Sequence, residues 1–377
     1  MRFEVVEVPI PEPTAVEAPD ADRFRAVARL QRDVFLEGLG PDARLQSDRS
    51  LAAHARNTNG NLWFCLAAVA DGAVIGSAFG NSHFDGSPKF AWVEVGVDAG
   101  WRRGGIGRAL WHAAVARTKA DGAQTCLTDV ACPLPAPGRP VLVPDDGFGE
   151  APADSPGVMF AQAMGLKFDW LELTSGLALP VPADVLAGAE ASAQERSAGY
   201  EVVTWFGHLP DQWAADFAAL EARLGADAPS GNVEFEVAPY TPDHVRAWEA
   251  EAIEGRDPVL GAGAIEQATG RMVAATWLNL PLDLPDGLPV AAHQNTTLVL
   301  PEHRGHRLGL AVKVAALRRL AALGQAQVAD VVGQPLVPRF SRVVTQNAAA
   351  NDSMWSINQR LGFQRGGLDL VWSLPLA

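Results

Sequence analysis

The sequence predicts an α/β (α+β) protein built as two similar halves in tandem, and three observations carry that prediction. Val93-Glu94-Val95-Gly96-Val97 is followed by a short turn, Arg102-Arg103-Gly104-Gly105-Ile106-Gly107, and an alanine-rich helical run. The pattern returns as Thr296-Thr297-Leu298-Val299-Leu300, then Arg304-Gly305-His306-Arg307-Leu308-Gly309 and another such run, with the leading arginines 202 positions apart. Met164-Gly165-Leu166 and Leu361-Gly362-Phe363 form a second pair of landmarks, 197 positions apart. Residues 1–178 and 200–377 are therefore expected to be domains. Residues 179–199, with two prolines and many alanines, form the linker.

Each half is predicted to run in the same order. Phe3–Val8 alternates like a strand, and Pro11 and Pro13 end it. Residues 20–38 carry Phe24, Val27, Leu30, Val34 and Phe35 at helical spacing, and 48–57 suggest a second short helix. Leu62–Val69 and Ala73–Phe84 form a hairpin across Asp71-Gly72. Phe90–Val97 is a strand, Ile106 begins a helix that ends near residue 121, and Thr125–Val130 is a strand. Residues 131–157, rich in Pro, Gly and Asp, read as a lid or a disordered loop. A helix near 156–164 and a strand Lys167–Leu173 close the first half. The second half opens with the strand Tyr200–Trp205 and helices over 210–224 and 241–254. Thr241 caps the latter, with Pro242 at its first position. Val259–Gln267 and Arg271–Leu278 form a hairpin, followed by the strand Ala291–Leu300 and the helix Leu308–Leu323. The strand Val343–Gln346, the helix Ala350–Leu361 and the strand Leu368–Leu374 end the chain.

Bulk properties exclude several classes. Hydrophobic residues make up 48%, which suits a globular core. No apolar run reaches the roughly 18 residues of a spanning helix. The N-terminus lacks the basic start and apolar centre of a signal peptide. Cys65, Cys126 and Cys132 are odd in number and show neither disulfide nor metal spacing, so a reducing cytoplasm is expected and no metal. A net charge of −14 argues against nucleic acid as a partner, since a phosphate backbone would be repelled.

The repeated turn has its own chemistry. The first amides of a helix lack intrahelical acceptors and carry the positive end of the helix dipole, and glycines let an anion approach them. The spacing is neither that of a kinase-type phosphate loop nor that of a dinucleotide fingerprint. A pyrophosphate-bearing cofactor fits best.

Arg-x-x-Gly-x-Gly after a strand, with a Leu-Gly-Phe element some sixty residues later, resembles the GNAT superfamily of acetyl-CoA-dependent N-acetyltransferases. The likeness covers both halves and is similar to the actinobacterial tandem type, to which mycothiol synthase also belongs. It implies two acyltransferase domains, each a mixed, mostly antiparallel sheet flanked by helices. It also implies acetyl-CoA as cofactor, bound through Arg102, Arg103, Gly104, Gly105, Ile106 and Gly107, with Val95 and Val97 along the pantetheine. In the second half the corresponding residues are Arg304, Gly305, His306, Arg307, Leu308 and Gly309, with Leu298, Val299 and Leu300, and Asn351 on the late helix. Arg307 stands where the family usually has glycine.

Acetyl transfer to an amine needs a base, an oxyanion donor and a fate for the thiolate. Glu94 is the candidate base of the first half, pointing opposite to Val93 and Val95 by strand alternation. His293, with an unperturbed pKa near neutrality, is the candidate of the second, and Glu302 is expected to face solvent. The family's late-helix tyrosine falls at Asn358 and Ala161, so Asn358 is the remaining candidate there. The expected function is N-acetylation of a small amine in the cytoplasm, with no nucleic-acid or membrane partner. The more complete motif set leans catalysis toward the second half. A silent acyl-CoA sensor remains the alternative.

Overall fold

The computed structural model describes residues 2–56, 61–83, 90–227, 240–337 and 339–376, with the backbone alone over 224–227. Phe84 and the last residue of the helix expected over 48–57 lie outside these. The first half runs β1 (Glu4–Glu7), α1 (Asp22–Leu39), α2 (Asp48–Arg56), β2 (Asn61–Ala70), β3 (Ala73–His83), β4 (Phe90–Val97), α3 (Ile106–Ala120) and β5 (Thr125–Cys132). A short ribbon, β6 (Val141–Leu142) and β7 (Ala151–Pro152), precedes α4 (Pro156–Ala163) and β8 (Lys167–Ala178). After α5 (Ala183–Gln194) come β9 (Tyr200–Phe206), α6 (Asp211–Asp227), α7 (Pro242–Glu254), β10 (Val259–Glu266), β11 (Met272–Asn279) and β12 (Ala291–Val299). The chain ends with α8 (Leu308–Ala321), α9 (Gln325–Val332), β13 (Arg342–Ala348), α10 (Asp352–Leu361) and β14 (Gln364–Pro375).

Strand alternation creates two cores on opposite faces of each half. Along β2, Phe64 and Ala68 join Ile106, Leu110 and Ala114 of α3. Cys65, Ala67 and Val69 instead join Phe24, Val27 and Leu51 of α1 and α2. The second half repeats this, with Leu260 and Ala262 packed toward Val312 and Ala316 of α8, and Ile265 and Met272 toward Phe217 and Val245. The helices are set by local signals as well. Thr241 caps α7 in a capping box with His244, and Asp71-Gly72 makes the tight turn between β2 and β3 with φ of 49° and 82°.

The halves do not close separately. One twelve-stranded sheet runs β1-β2-β3-β4-β5-β14-β8-β13-β12-β11-β10-β9. The last strand of the chain lies between β5 and β8, and β8 lies between β14 and β13. Each half thus receives a strand from the other across a pseudo-twofold axis. β8 and β14 are longer than the periodicity predicts, because Thr174–Ala178 and Gln364–Gly367 are held by pairing with a distant strand rather than by an apolar pattern. The Pro/Gly-rich stretch 131–157 is pinned rather than patternless. Val141 and Leu142 pair with Pro152 and Ala151, and the Asp145 amide donates to the Phe168 carbonyl at 2.9 Å. The expected linker is largely helix α5, and α9 is an addition too short for periodicity to reveal.

Asp42, just after α1, locks the exchanged strands. Its carboxylate pairs with Arg342 at 3.1 Å, and a methyl group on Gly176 or Gly366 would collide with it. Gly366→Ala is therefore expected to destabilise the protein by about 1–3 kcal/mol, as overpacking does. Denaturant unfolding of the two proteins measures the difference.

Candidate active site

Parallel pairing holds β4 to β5 only at Phe90–Trp92, and β12 to β13 only at Ala291–Gln294. Beyond those points each pair splays, leaving a V-shaped opening beside Val93–Val97 and a second beside Asn295–Val299. Each splay ends at a turn and a helix N-terminus. On the sheet face bearing α1, α2 and α7, a chamber of about 790 Å³ spans both splays.

The two turns share one backbone shape. Arg103 (φ 66°) and Gly305 (φ 84°) occupy one left-handed position, and Gly105 (φ 83°) and Arg307 (φ 55°) the next. Each copy has glycine at one position and arginine at the other, and a non-glycine residue there costs roughly 1–2 kcal/mol. Neither α3 nor α8 has a side-chain N-cap. The first intrahelical bonds are Ala109 N to Gly105 O and Ala311 N to Arg307 O, both 3.0 Å. The amides of Ile106, Gly107 and Arg108, and of Leu308, Gly309 and Leu310, therefore lack intrahelical acceptors. Uncapped amides at a helix N-terminus suit a phosphate-bearing ligand, and the open strand edge beside them leaves further backbone groups free to pair with it.

The arginines that open the motifs brace the turns. Arg102 grips Glu37 through both oxygens, at 2.7 and 2.5 Å, and donates from Nε to the Val97 carbonyl. Arg304 makes the matching bond to the Val299 carbonyl at 3.3 Å. Around them the copies differ. Arg103, Gly104 and Gly105 are exposed and Gly107 is half-buried, with Phe160 of α4 against it. In the second copy Leu308 and Gly309 are buried, and helix α5 lies against the turn. Arg307 donates to the Ser192 carbonyl at 2.6 Å, to Ser192 Oγ at 2.9 Å and to Glu195 at 2.6 Å. Its charge is thus committed to the C-terminal end of α5. His306 contacts the Arg196 carbonyl and the Tyr200 ring, and His303 the Tyr200 hydroxyl. Glu302 is exposed.

Glu94 projects from β4 into the chamber, because Val93 takes the α3 face. Burial and the charge of Asp369 push its pKa up to about 7. Across the splay Asp129 of β5 also lines the chamber, and it accepts from Trp92 Nε1 at 2.9 Å. Burial, with Asp369 and Glu94 nearby, raises Asp129 well above the carboxylate range. Glu172 and Asp369 face each other across β8 and β14. They lie 197 positions apart, the spacing of the repeated landmarks. Burial raises them to about 7 and about 6.

The strand positions of the second splay are neutral where those of the first are acidic, and its carboxylate comes from α6 instead: Glu221 accepts from Trp277 Nε1 at 3.0 Å and from Thr296 Oγ1 at 3.5 Å, and burial raises it to about 7. Thr296 stands for Glu94, and by strand register Gln346 stands for Asp129. Arg44, reaching across from the first half, donates to Gln346 at 2.9 Å and to Asn295, bridging β12 and β13 at the mouth. His293 lines the chamber with Nε2 unpartnered, but burial and Arg44 hold its pKa well below the usual value. It is a neutral imidazole and a poor proton acceptor near pH 7. Asn358 is wholly buried and away from the chamber. It accepts from Lys313 Nζ at 2.9 Å and donates to Asn347 at 2.8 Å, which occupies its amide with a buried lysine. Burial lowers Lys313 to about 7. Asn351 caps α10 by accepting from the Met354 amide at 3.1 Å.

Sequence reasoning missed Asp129, Glu172, Asp369, Arg44 and the α7 acids. The available signal was a lone acid inside an apolar strand, as in Leu171-Glu172-Leu173 and Leu368-Asp369-Leu370. Both halves contribute to the chamber. His54 pairs with Glu251 at 2.7 Å, and Ser50 donates to Asp257 at 3.3 Å.

These buried acids link folding to pH. Glu94, Glu172 and Asp257 bind protons more tightly folded than unfolded, with folded values near 7. Their stabilisation is full below the unfolded values and is lost as pH rises through about 7. His293 and Lys313, both shifted down by burial, oppose this trend. A fall in Tm of about 5 °C between pH 5 and pH 8 is expected by calorimetry at constant ionic strength.

Residues 25–134 match the model of the acetyltransferase (GNAT) family. No curated protein matches the chain. A solved tandem GNAT protein from the clavulanic acid biosynthesis pathway is similar over 100% of this chain and 99% of its own, with a TM-score of 0.70 and 23% identity. A GCN5-related N-acetyltransferase from Sphaerobacter thermophilus is similar over 99% and 96%, with a TM-score of 0.54 and 12% identity. The chain therefore has the tandem GNAT fold, and the stretch 25–134 of its first half matches the GNAT acetyltransferase family. No helix among the described residues is long and apolar enough to cross a membrane.

Proposed function

We propose that the protein is an acetyl-CoA-dependent N-acetyltransferase, that its acceptor is a small amine, and that transfer takes place at the first splay. The observation that carries this reading is Glu94, a chamber carboxylate with a pKa near 7 beside an open strand edge and an uncapped helix. The second splay offers Thr296, Gln346 and the Arg44 bridge in the same places, its carboxylate Glu221 is held by Trp277 and Thr296 rather than standing on the cofactor strand, and α5 covers its turn. This favours the first half over the second, against the lean from the motifs.

Acetyl-CoA supplies the activated acyl group. Glu94, ionised above about pH 7, takes the proton that the acceptor must shed, since a free alkylamine titrates near 10.4. An edge amide of β4 beyond Trp92 is the donor available to a developing oxyanion. Ala161, buried, fills the position where relatives carry an acid, so the thiolate leaves without side-chain assistance. The second half walls the chamber and holds the acceptor.

Coenzyme A release tests this simply. Cys65, Cys126 and Cys132 are buried, and desolvation pushes their thiols up to about 12. A thiol reagent therefore reads the released coenzyme alone. Amine-dependent release supports the reading. Acetyl-CoA binding without release across an amine panel overturns it in favour of a sensor.

A further inference from the structure

The chamber is larger and more acidic than one primary amine requires. Its acids form two sets. Glu94, Asp129 and Asp369 lie at the first splay and the pseudo-twofold axis, while Glu251 and Asp257 come from the end of α7 and just beyond it. Five carboxylates thus face two arginines and His54, which pairs with Glu251 at 2.7 Å. Arg32 is tied to Asp48 at 2.6 Å, and Arg44 to two side-chain amides. Three groups that line the chamber and are more than nine-tenths buried have an atom without a protein partner: Asp257 Oδ1, Asp369 Oδ1 and His293 Nε2. Buried polar atoms left unpaired are costly, and a ligand donor is what they lack.

Aromatic and apolar side chains line the same chamber. Phe35, Phe79 and Phe90 come from the first half, and Trp248 and Trp277, 4.3 Å apart and edge to face, from the second. Methylene groups pack on such rings, and a cation is stabilised over their faces. Among the described residues no three His, Cys, Asp or Glu side chains converge closely enough to hold a metal ion. The acids are spread along the chamber.

Resting on the proposed transfer reading, we infer that the acceptor is a di- or polyamine. One ammonium lies by Glu94 and Asp129, and a second reaches the Glu251–Asp257 set of the other half. Burial, with the charge of Asp369, raises Glu94 to about 7, and burial raises Asp257 to about 7. A bound dication relieves both.

Calorimetric titration of the full chain without any acyl donor tests the inference, with spermidine and n-butylamine as probes. Spermidine is expected to bind at one equivalent with a Kd at least tenfold below that of n-butylamine. Asp257→Asn and Glu251→Gln are each expected to cut that ratio severalfold, and the two isosteres differ in their hydrogen-bonding neighbours, so folding loss in one leaves the other informative. Equal Kd values, many weak equivalents, or an unchanged ratio in both variants would overturn it, the last two pointing to the acidic surface. Spermidine binding without acetyl transfer leaves the polyamine site standing and removes the transfer reading, and with it the role of acceptor. Acetylation of monoamines and polyamines alike does the reverse.

Discussion

Glu94→Gln is expected to lower kcat for acetyl transfer by about 10²–10³-fold, within the range of general-base contributions. The substitution keeps the size and the strand position, and it removes one of several mutually repelling acids, so the fold should not suffer. Its pH signature separates a base from a wall residue. In the unaltered protein kcat is expected to rise with pH through about 7, as Glu94 ionises. The variant loses that rise, while its Kd for acetyl-CoA stays within twofold, because Glu94 faces the chamber rather than the turn. An unchanged pH profile would remove Glu94 from the chemistry.

Gly105→Asp is expected to weaken acetyl-CoA binding by about 100-fold or more. Gly105 is the N-cap of α3, and open space surrounds the position of a Cβ there. A carboxylate at that point competes for the uncapped amides and repels the pyrophosphate. The left-handed φ of 83° adds a local cost that Gly105→Asn reports separately, since asparagine tolerates that conformation and lacks the charge. Isothermal titration gives the result directly. A Kd unchanged in the aspartate variant would place coenzyme binding elsewhere.

Much of this was legible in the sequence because it is written in short-range patterns. The repeated turn, the late landmarks and the alternation around Glu94 each lie within a few residues, and they located the tandem fold and the face on which Glu94 sits. What escaped depends on long-range pairing. Nothing local in Gln364–Gly367 or Thr174–Ala178 says that β14 enters the first half and β8 the second. That exchange puts Glu172 opposite Asp369 and brings both toward Asp129 and Glu94. The motifs that lean toward the second half carry no sign of Arg44, whose contacts lie 251 and 302 positions away. It also could not foresee that Arg307 would be spent on α5. Asn358 had the right place for an acid, but its amide is occupied by Lys313, one helix away.

The most direct measurement is a crystal structure of the full chain with coenzyme A. The account predicts the pyrophosphate on the amides of residues 105–108 and the sulfur in the first splay, on the side of the sheet that opens to Glu94. Coenzyme held only at residues 307–310, with its sulfur in the second splay beyond Arg44, would contradict it.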